Sequence, residues 1–565
     1  MGTEISRRSF LVGAGVAGAA SVAFLAGCSS ENNPSGEATP QDSNAISWDL
    51  ETEVLVVGAG GGGITAAATA VDEGASVLVL EKASAENENG YGATRSSGGN
   101  GCSVHDTAAA VRYLEASNIG LIDKAVEEAW AEYGTTVTDW LDDHGLNWKI
   151  QEGMGADFPN FPGAEGLQAV QIADPDKPAE VRGGSYYLST MIPYIKGKGA
   201  EIVVGTEVTD LVQNDAGEVI GVVAKQGGKE VKIQAKKAVI LATGGFEGNP
   251  DMLANYARCY PVAGMSWPLN TGDGIRMCQA IGADLYHMNN MCSQGYGFQY
   301  PGFFQARTGL NGANWPAMSY IFVNKLGKRF LCENPNRAGG PLGHRSYLDY
   351  NTFDTSNEQV DGGFRDTPFY SVFDSKVIEA GPIFAPTTNS GIRIIDPADG
   401  GLTEDWSEDN SVEIEKGYIL KADTLQELAE KINENSAHEG YVMDPEALAS
   451  TVEEYNANCA AGVDPLFGRP ETSGDKPNLV ALDTPPFYAL RLIPTLYSTC
   501  GGPRKNEKSQ VLDTKGEVIP RLYVSGVLGE SAAQSYTVYG QNWSEIWNFG
   551  RISGTNAAAE TPWDE

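Results

Sequence analysis

The sequence predicts an α/β protein: a Rossmann-like dinucleotide-binding domain split by an inserted α+β domain. Three observations predict it. Val54-Leu-Val-Val-Gly58-Ala-Gly60-Gly-Gly-Gly63 is an apolar run that ends in a glycine-rich turn. After a small-residue stretch with Ala66, Ala67 and Ala68, Val77-Leu-Val-Leu-Glu81 is a second apolar run that ends in an acid, which completes a βαβ fingerprint. The strand-to-glycine pattern then recurs at Lys237–Gly245 and, far downstream, at Arg521–Gly526, so distant parts of the chain build one sheet.

Taken in order, residues 1–28 read as a targeting signal. Ser6-Arg7-Arg8-Ser9-Phe10-Leu11 is a twin-arginine pattern, and a mild Gly/Ala-rich apolar stretch leads to Leu25-Ala26-Gly27-Cys28, which is similar to a lipobox with Cys28 as the lipidated residue. The alternative is an uncleaved anchor helix. Export is therefore expected, with the protein lipid-anchored on the outer face of the cytoplasmic membrane or periplasmic, and touching membrane only through Cys28. Residues 29–47 are a polar, flexible linker.

Residues 48–250 form the first part of the dinucleotide-binding domain. Gly58 permits the tight turn, Gly60 admits a pyrophosphate close to the backbone, and Gly63 lets helix and strand approach. Glu81 is placed to accept hydrogen bonds from a ribose diol. Strands follow near Ile202–Val208, Val219–Ala224 and Lys237–Leu241. Residues 251–465 are the inserted domain. Its early part is rich in Tyr, Phe, Trp, Pro and Gly, and Thr424–Ile432 and Pro445–Cys459 have helical periodicity. Residues 466–565 return to the first domain and close with a helix from Gln541 to Ala559, whose Trp543, Ile546, Trp547 and Gly550 share a face.

Composition excludes several classes. A net charge of −35 argues against nucleic acid and against direct docking on anionic lipid. The cysteines form no CxxC or CxxCH, so no iron–sulfur, structural zinc or attached c-type haem is expected. The five histidines have no paired ligand spacing, so no metal site is expected.

The chain resembles the flavoprotein family of fumarate reductases, succinate dehydrogenase flavoprotein subunits, urocanate reductase and 3-ketosteroid dehydrogenases. The resemblance rests on the glycine motif with Glu81, on Gly92-Ala-Thr-Arg-Ser96-Ser97-Gly98-Gly99, on Ala242-Thr-Gly-Gly245 and on Asn270-Thr-Gly-Asp273-Gly274. It rests also on Asn324-Lys-Leu-Gly-Lys-Arg329-Phe330 and on Gly516 through Gly554. It implies FAD as cofactor, a Rossmann-like FAD-binding domain, and an inserted α+β capping domain over the flavin. Ser96, Ser97 and Gly98 would line pyrophosphate and flavin, Val208 the adenine, and Gln541 and Asn542 the pyrimidine end. Thr243, Gly244 and Asp273 complete the implied cofactor contacts. Where the family often has Ala-Gly-Glu, this chain has Ser525-Gly526-Val527, so that carboxylate contact is missing or shifted to Glu530.

The resemblance also implies chemistry on an activated C=C. Arg337, eight residues after Arg329, matches the family's proton donor, with Arg345 as second choice; the bland reading is a surface or salt-bridging arginine. The carboxylate-binding cations of fumarate reductases are replaced by Ser498 and by Val538-Tyr539-Gly540, which makes fumarate a poor substrate. Tyr536 and Gly540 instead match the spacing with which ketosteroid dehydrogenases hold a ketone, although Tyr536 also reads as an aromatic packed on the flavin. Tyr296, Phe298, Tyr300, Phe303, Phe304 and Trp315 are either an apolar substrate wall or the core of the cap. The expected function is reduction of an unsaturated carbonyl or conjugated aromatic acid, with electrons from an external donor such as a cytochrome or quinol-linked carrier. A 3-ketosteroid-type dehydrogenase and a non-catalytic flavin electron carrier are the alternatives.

Overall fold

Strand β1 (Leu50–Val57), helix α1 (Gly61–Asp72) and strand β2 (Val77–Leu80) form the βαβ unit that the glycine turn predicts. They belong to a computed structural model that describes residues 46–84, 90–176, 183–299, 301, 306–310, 315–333, 353–354, 363–384 and 405–564. Helix α2 (Thr107–Ser117) follows, then β3 (Glu201–Val203), β4 (Thr206–Gln213), β5 (Val219–Gln226) and β6 (Lys229–Leu241). The middle of the chain supplies β7 (Met291–Gln299), β8 (Ala306–Leu310), β9 (Tyr320–Val323), β10 (Phe369–Asp374) and β11 (Ile419–Ala422). Helices α3 (Leu425–Asn435) and α4 (Pro445–Ala461) precede β12 (Phe487–Thr499). The chain ends in β13 (Gln510–Leu512), β14 (Val518–Val524) and α5 (Gln541–Ala559).

The first sheet runs β13-β14-β6-β1-β2-β3, with β5 on β6 and β4 on β5. Its central pairs are parallel, and their registers match Val57 with both Leu80 and Leu241, and Leu241 with Val524. Four strands therefore end level with one another. Their residues alternate between two cores: Leu55, Val57, Leu78, Val239 and Leu522 face one, while Val54, Val56, Val79, Ile240 and Tyr523 face the other with α1 and α5. Burial on both faces produces the unbroken apolar runs of the sequence. Helix α5 seats on α1 through its small residues. A Cβ at Gly550 would lie 2.7 Å from Thr65 Cβ, and one at Gly554 2.6 Å from the Ala66 carbonyl.

The second sheet runs β8-β7-β12-β10-β9, with β11 also on β12. Helices α3 and α4 pack Leu428, Ile432, Leu448 and Val452 against Ile321, Val323 and Val372. Sheet membership differs here from the sequence division at residue 466. Strand β12 is the central strand of the second sheet, and the chain re-enters the first sheet only at Gln510. An apolar strand buried on both faces looks alike in either sheet, so the run itself does not say which one it joins. No helix of the described residues is long and apolar enough to cross a membrane, and none of their His, Cys, Asp and Glu cluster as metal ligands.

Candidate active site

The level strand ends open into one cavity, as open parallel sheets place ligand sites outside their carboxyl edges. Gly58, Glu81, Thr243, Gly244, Ser525 and Gly526 line it from the turns just past β1, β2, β6 and β14. Gly58 has φ +103°, and a Cβ there would lie 2.5 Å from the Ala242 carbonyl. Gly60 caps α1 and lines the cavity. Gly63 lies beneath the lining: a Cβ there would fall 1.9 Å from the Gly58 carbonyl, so it serves the helix–strand contact alone.

Glu81 is buried, and its carboxylate accepts from the N–H of Ala59 and of Ala83, both at 2.9 Å. Ser96, Ser97 and Gly98 line the cavity beside Asn100, and Ser97 Oγ accepts from Trp543 Nε1 at 2.9 Å. Val208 lines the cavity from β4. Asp273 accepts from Lys82 Nζ at 2.6 Å and from Thr271 Oγ1 at 2.9 Å, so the one cation lining the cavity among the described residues is already paired.

The far end of the cavity is built on the start of α5. Tyr536, Gly540 and Asn542 line it together with Cys292 and Ser498. The backbone N–H of Asn542 donates to the Tyr536 phenol oxygen at 3.3 Å, and its Nδ2 donates to Ser498 Oγ at 2.7 Å. Burial raises the Tyr536 phenol well above its ordinary pKa, so it stays neutral and keeps its proton. Gly540 has φ +73° and would place a Cβ 2.1 Å from the Asn100 carbonyl.

Several expected residues lie elsewhere. Gln541 is fully buried outside the lining, where its Oε1 accepts from Thr537 and Val538. Glu530 is also buried away from the cavity, which Val527 lines at the place of the family's carboxylate. Tyr296, Phe298 and Trp315 belong to the aromatic core and not to the lining. Arg337, Arg345, Tyr300, Phe303 and Phe304 lie outside the described residues. Glu333, four residues before Arg337, is held by Arg329 at 2.9 Å. Sequence reading missed Asn270 and Trp267, which line the cavity. Asn270 stood in a quoted motif, but its bond to buried Glu247 at 2.6 Å has no local signal.

Thr243 Oγ1, Asn100 Oδ1 and Asn542 Oδ1 are buried at this lining without a partner among the described residues. Orphaned polar atoms around a glycine cradle fit a large polar cofactor. A family model described as FAD binding domain matches residues 53–537.

The chain belongs to this FAD-binding flavoprotein family, and FAD is its cofactor. It is 26% identical to vinyl phenol reductase of Lactiplantibacillus plantarum over 90% of this chain and 97% of that protein. It is 26% identical to NADH:acrylate oxidoreductase of Vibrio harveyi over 73% of this chain, and spans only 35% of that longer protein. The fold is that of 3-ketosteroid Δ1-dehydrogenase from Sterolibacterium denitrificans, with TM-score 0.68, 21% identity, and coverage of 90% of this chain and 99% of that one. The protein is an FAD-dependent oxidoreductase acting on CH–CH bonds.

Proposed function

We propose that this flavoenzyme reduces the activated C=C of an unsaturated carbonyl compound or conjugated aromatic acid. The observation that carries the reading is Tyr536, a neutral buried phenol that lines the cavity beside Gly540. Bound FAD supplies hydride chemistry. As hydride reaches the β-carbon, charge builds on the carbonyl oxygen, where the Tyr536 O–H and the Gly540 N–H act as donors. The positive end of α5 adds to that stabilisation. Arg337 is the candidate donor of the proton to the α-carbon. The names of the two reductase relatives, for vinyl phenol and acrylate, support reduction of a C=C. Among the described lining residues Lys82 is paired with Asp273, which disfavours a dicarboxylate.

The second reading is the reverse reaction, oxidation of a saturated ketone, since the same two donors hold the enolate in either direction. Electrons would come from an external carrier, and the twin-arginine and Cys28 patterns would place the enzyme in the cell envelope.

An anaerobic experiment tests the reading. The flavin is reduced chemically, and its absorbance is followed while enones, cinnamate-type acids, fumarate and 3-ketosteroids are added. Rapid reoxidation by an enone or aromatic acid, slow reoxidation by fumarate, and a loss of about 10²-fold in Tyr536→Phe are expected. Failure of every unsaturated compound, with bleaching of oxidised flavin by a saturated ketosteroid, would establish the dehydrogenase instead.

A further inference from the structure

The residues from 530 to 540 contain no helix and no named strand, so an isolated antiparallel bridge between Ala156 and Val538 and a few buried side chains together set their shape. Thr537, next to Tyr536, is completely buried and gripped from opposite sides. Its N–H and Oγ1 both donate to Gln541 Oε1, at 3.1 and 2.6 Å, and the Val538 N–H reaches the same oxygen at 3.4 Å. Its carbonyl accepts from the Tyr113 hydroxyl at 2.5 Å and from the Asp157 N–H at 3.0 Å. Tyr113 O also accepts from the Phe158 N–H at 3.0 Å. The grip is continued on the far side, where the Tyr539 N–H donates to the Gly155 carbonyl at 2.8 Å.

Tyr113 and Gln541 are completely buried, and neither lines the cavity. Burying an amide and a phenol is costly unless each bond is placed well. Here the Gln541 amide oxygen and the Tyr113 hydroxyl both bond to Thr537, the residue next to Tyr536, while Gln541 Nε2 has no partner among the described residues.

We infer that Tyr113 and Gln541 are positioning residues, which act through Thr537 to hold Tyr536 at the substrate end of the cavity. The inference rests on the reading of Tyr536 as the substrate anchor. A side chain that only stabilises the fold would not depend on whether the Tyr536 hydroxyl is present; a positioning residue would.

The test is a double-mutant cycle on single-turnover reoxidation of the reduced flavin. It uses the member of the panel above that reacts fastest with the unaltered enzyme. Tyr113→Phe should slow reoxidation about tenfold while FAD stays bound with an unchanged spectrum. In a Tyr536→Phe background the same substitution should cost less than about twofold more. Equal losses in both backgrounds, or no loss in the first, would overturn the inference. If Tyr536→Phe reacts as fast as the unaltered enzyme, the anchor reading fails instead, whatever Tyr113→Phe does. Should Tyr113→Phe lose FAD, Thr537→Val, which deletes the Oγ1 bond to Gln541 while keeping the N–H bond and the shape, completes the same cycle.

Discussion

Glu247 shows how burial sets the chemistry of one side chain. Its carboxyl is 1% exposed, and burial raises its pKa to about 7, against hydrogen bonds from Asn270 and Thr499 that favour the anion. The reference value is 4.5. Between these two pH values the folded chain holds the proton more tightly than the unfolded chain does. The stability tied to this group is therefore complete below about pH 4.5, falls as pH rises through the window, and is lost above about 7. Glu247→Gln cannot ionise. Its thermal midpoint should match that of the unaltered protein near pH 4.5 and exceed it at pH 8, as read by melts across that range. Two parallel curves would contradict the buried, protonated state. Because Asn270 links this acid to the cavity lining, the same substitution reports whether FAD binding shares the titration.

At the scale of elements, the glycines of the first turn separate into two physical roles. A Cβ at Gly60 meets nothing nearer than Thr94 Oγ1 at 3.8 Å, whereas one at Gly63 falls 1.9 Å from the Gly58 carbonyl. Gly60→Ala should fold, with an apo melting point near that of the unaltered protein, but carry little FAD, because its methyl enters the cofactor's approach. Gly63→Ala should lose about 3 kcal/mol or more, because α1 must lift off β1. Apo melts and flavin content together separate the two, and equal behaviour would refute the division. These roles were legible in the sequence because a βαβ turn signals locally, and α5 was legible for the same reason, from Gln541 to Ala559. The place of β12 was not, since a strand buried along nearly its whole length carries no alternation that names its pairing partners. The resemblance implies Gln541 as a flavin contact; in the structure its Oε1 accepts from the residues just before the helix, while the other half of the grip, Tyr113, lies 424 positions from Thr537.

For the whole molecule, the strands that end level at Val57, Leu80, Leu241 and Val524 put the cofactor site at one edge of the sheet, and in the proposed reductive reaction the electrons would be delivered at that edge. The sequence holds one dinucleotide fingerprint. Its net charge of −35 creates a long-range field that favours cationic partners during encounter. A basic protein carrier should therefore reduce the flavin at a rate that falls at least about tenfold between 10 mM and 500 mM salt, as screening shortens the reach of that field. An uncharged small-molecule donor should show little change over the same range. Stopped-flow reduction with both donors decides the matter: matched salt responses would mean that charge steering plays no part in electron delivery, and that recognition rests on a local docking surface alone.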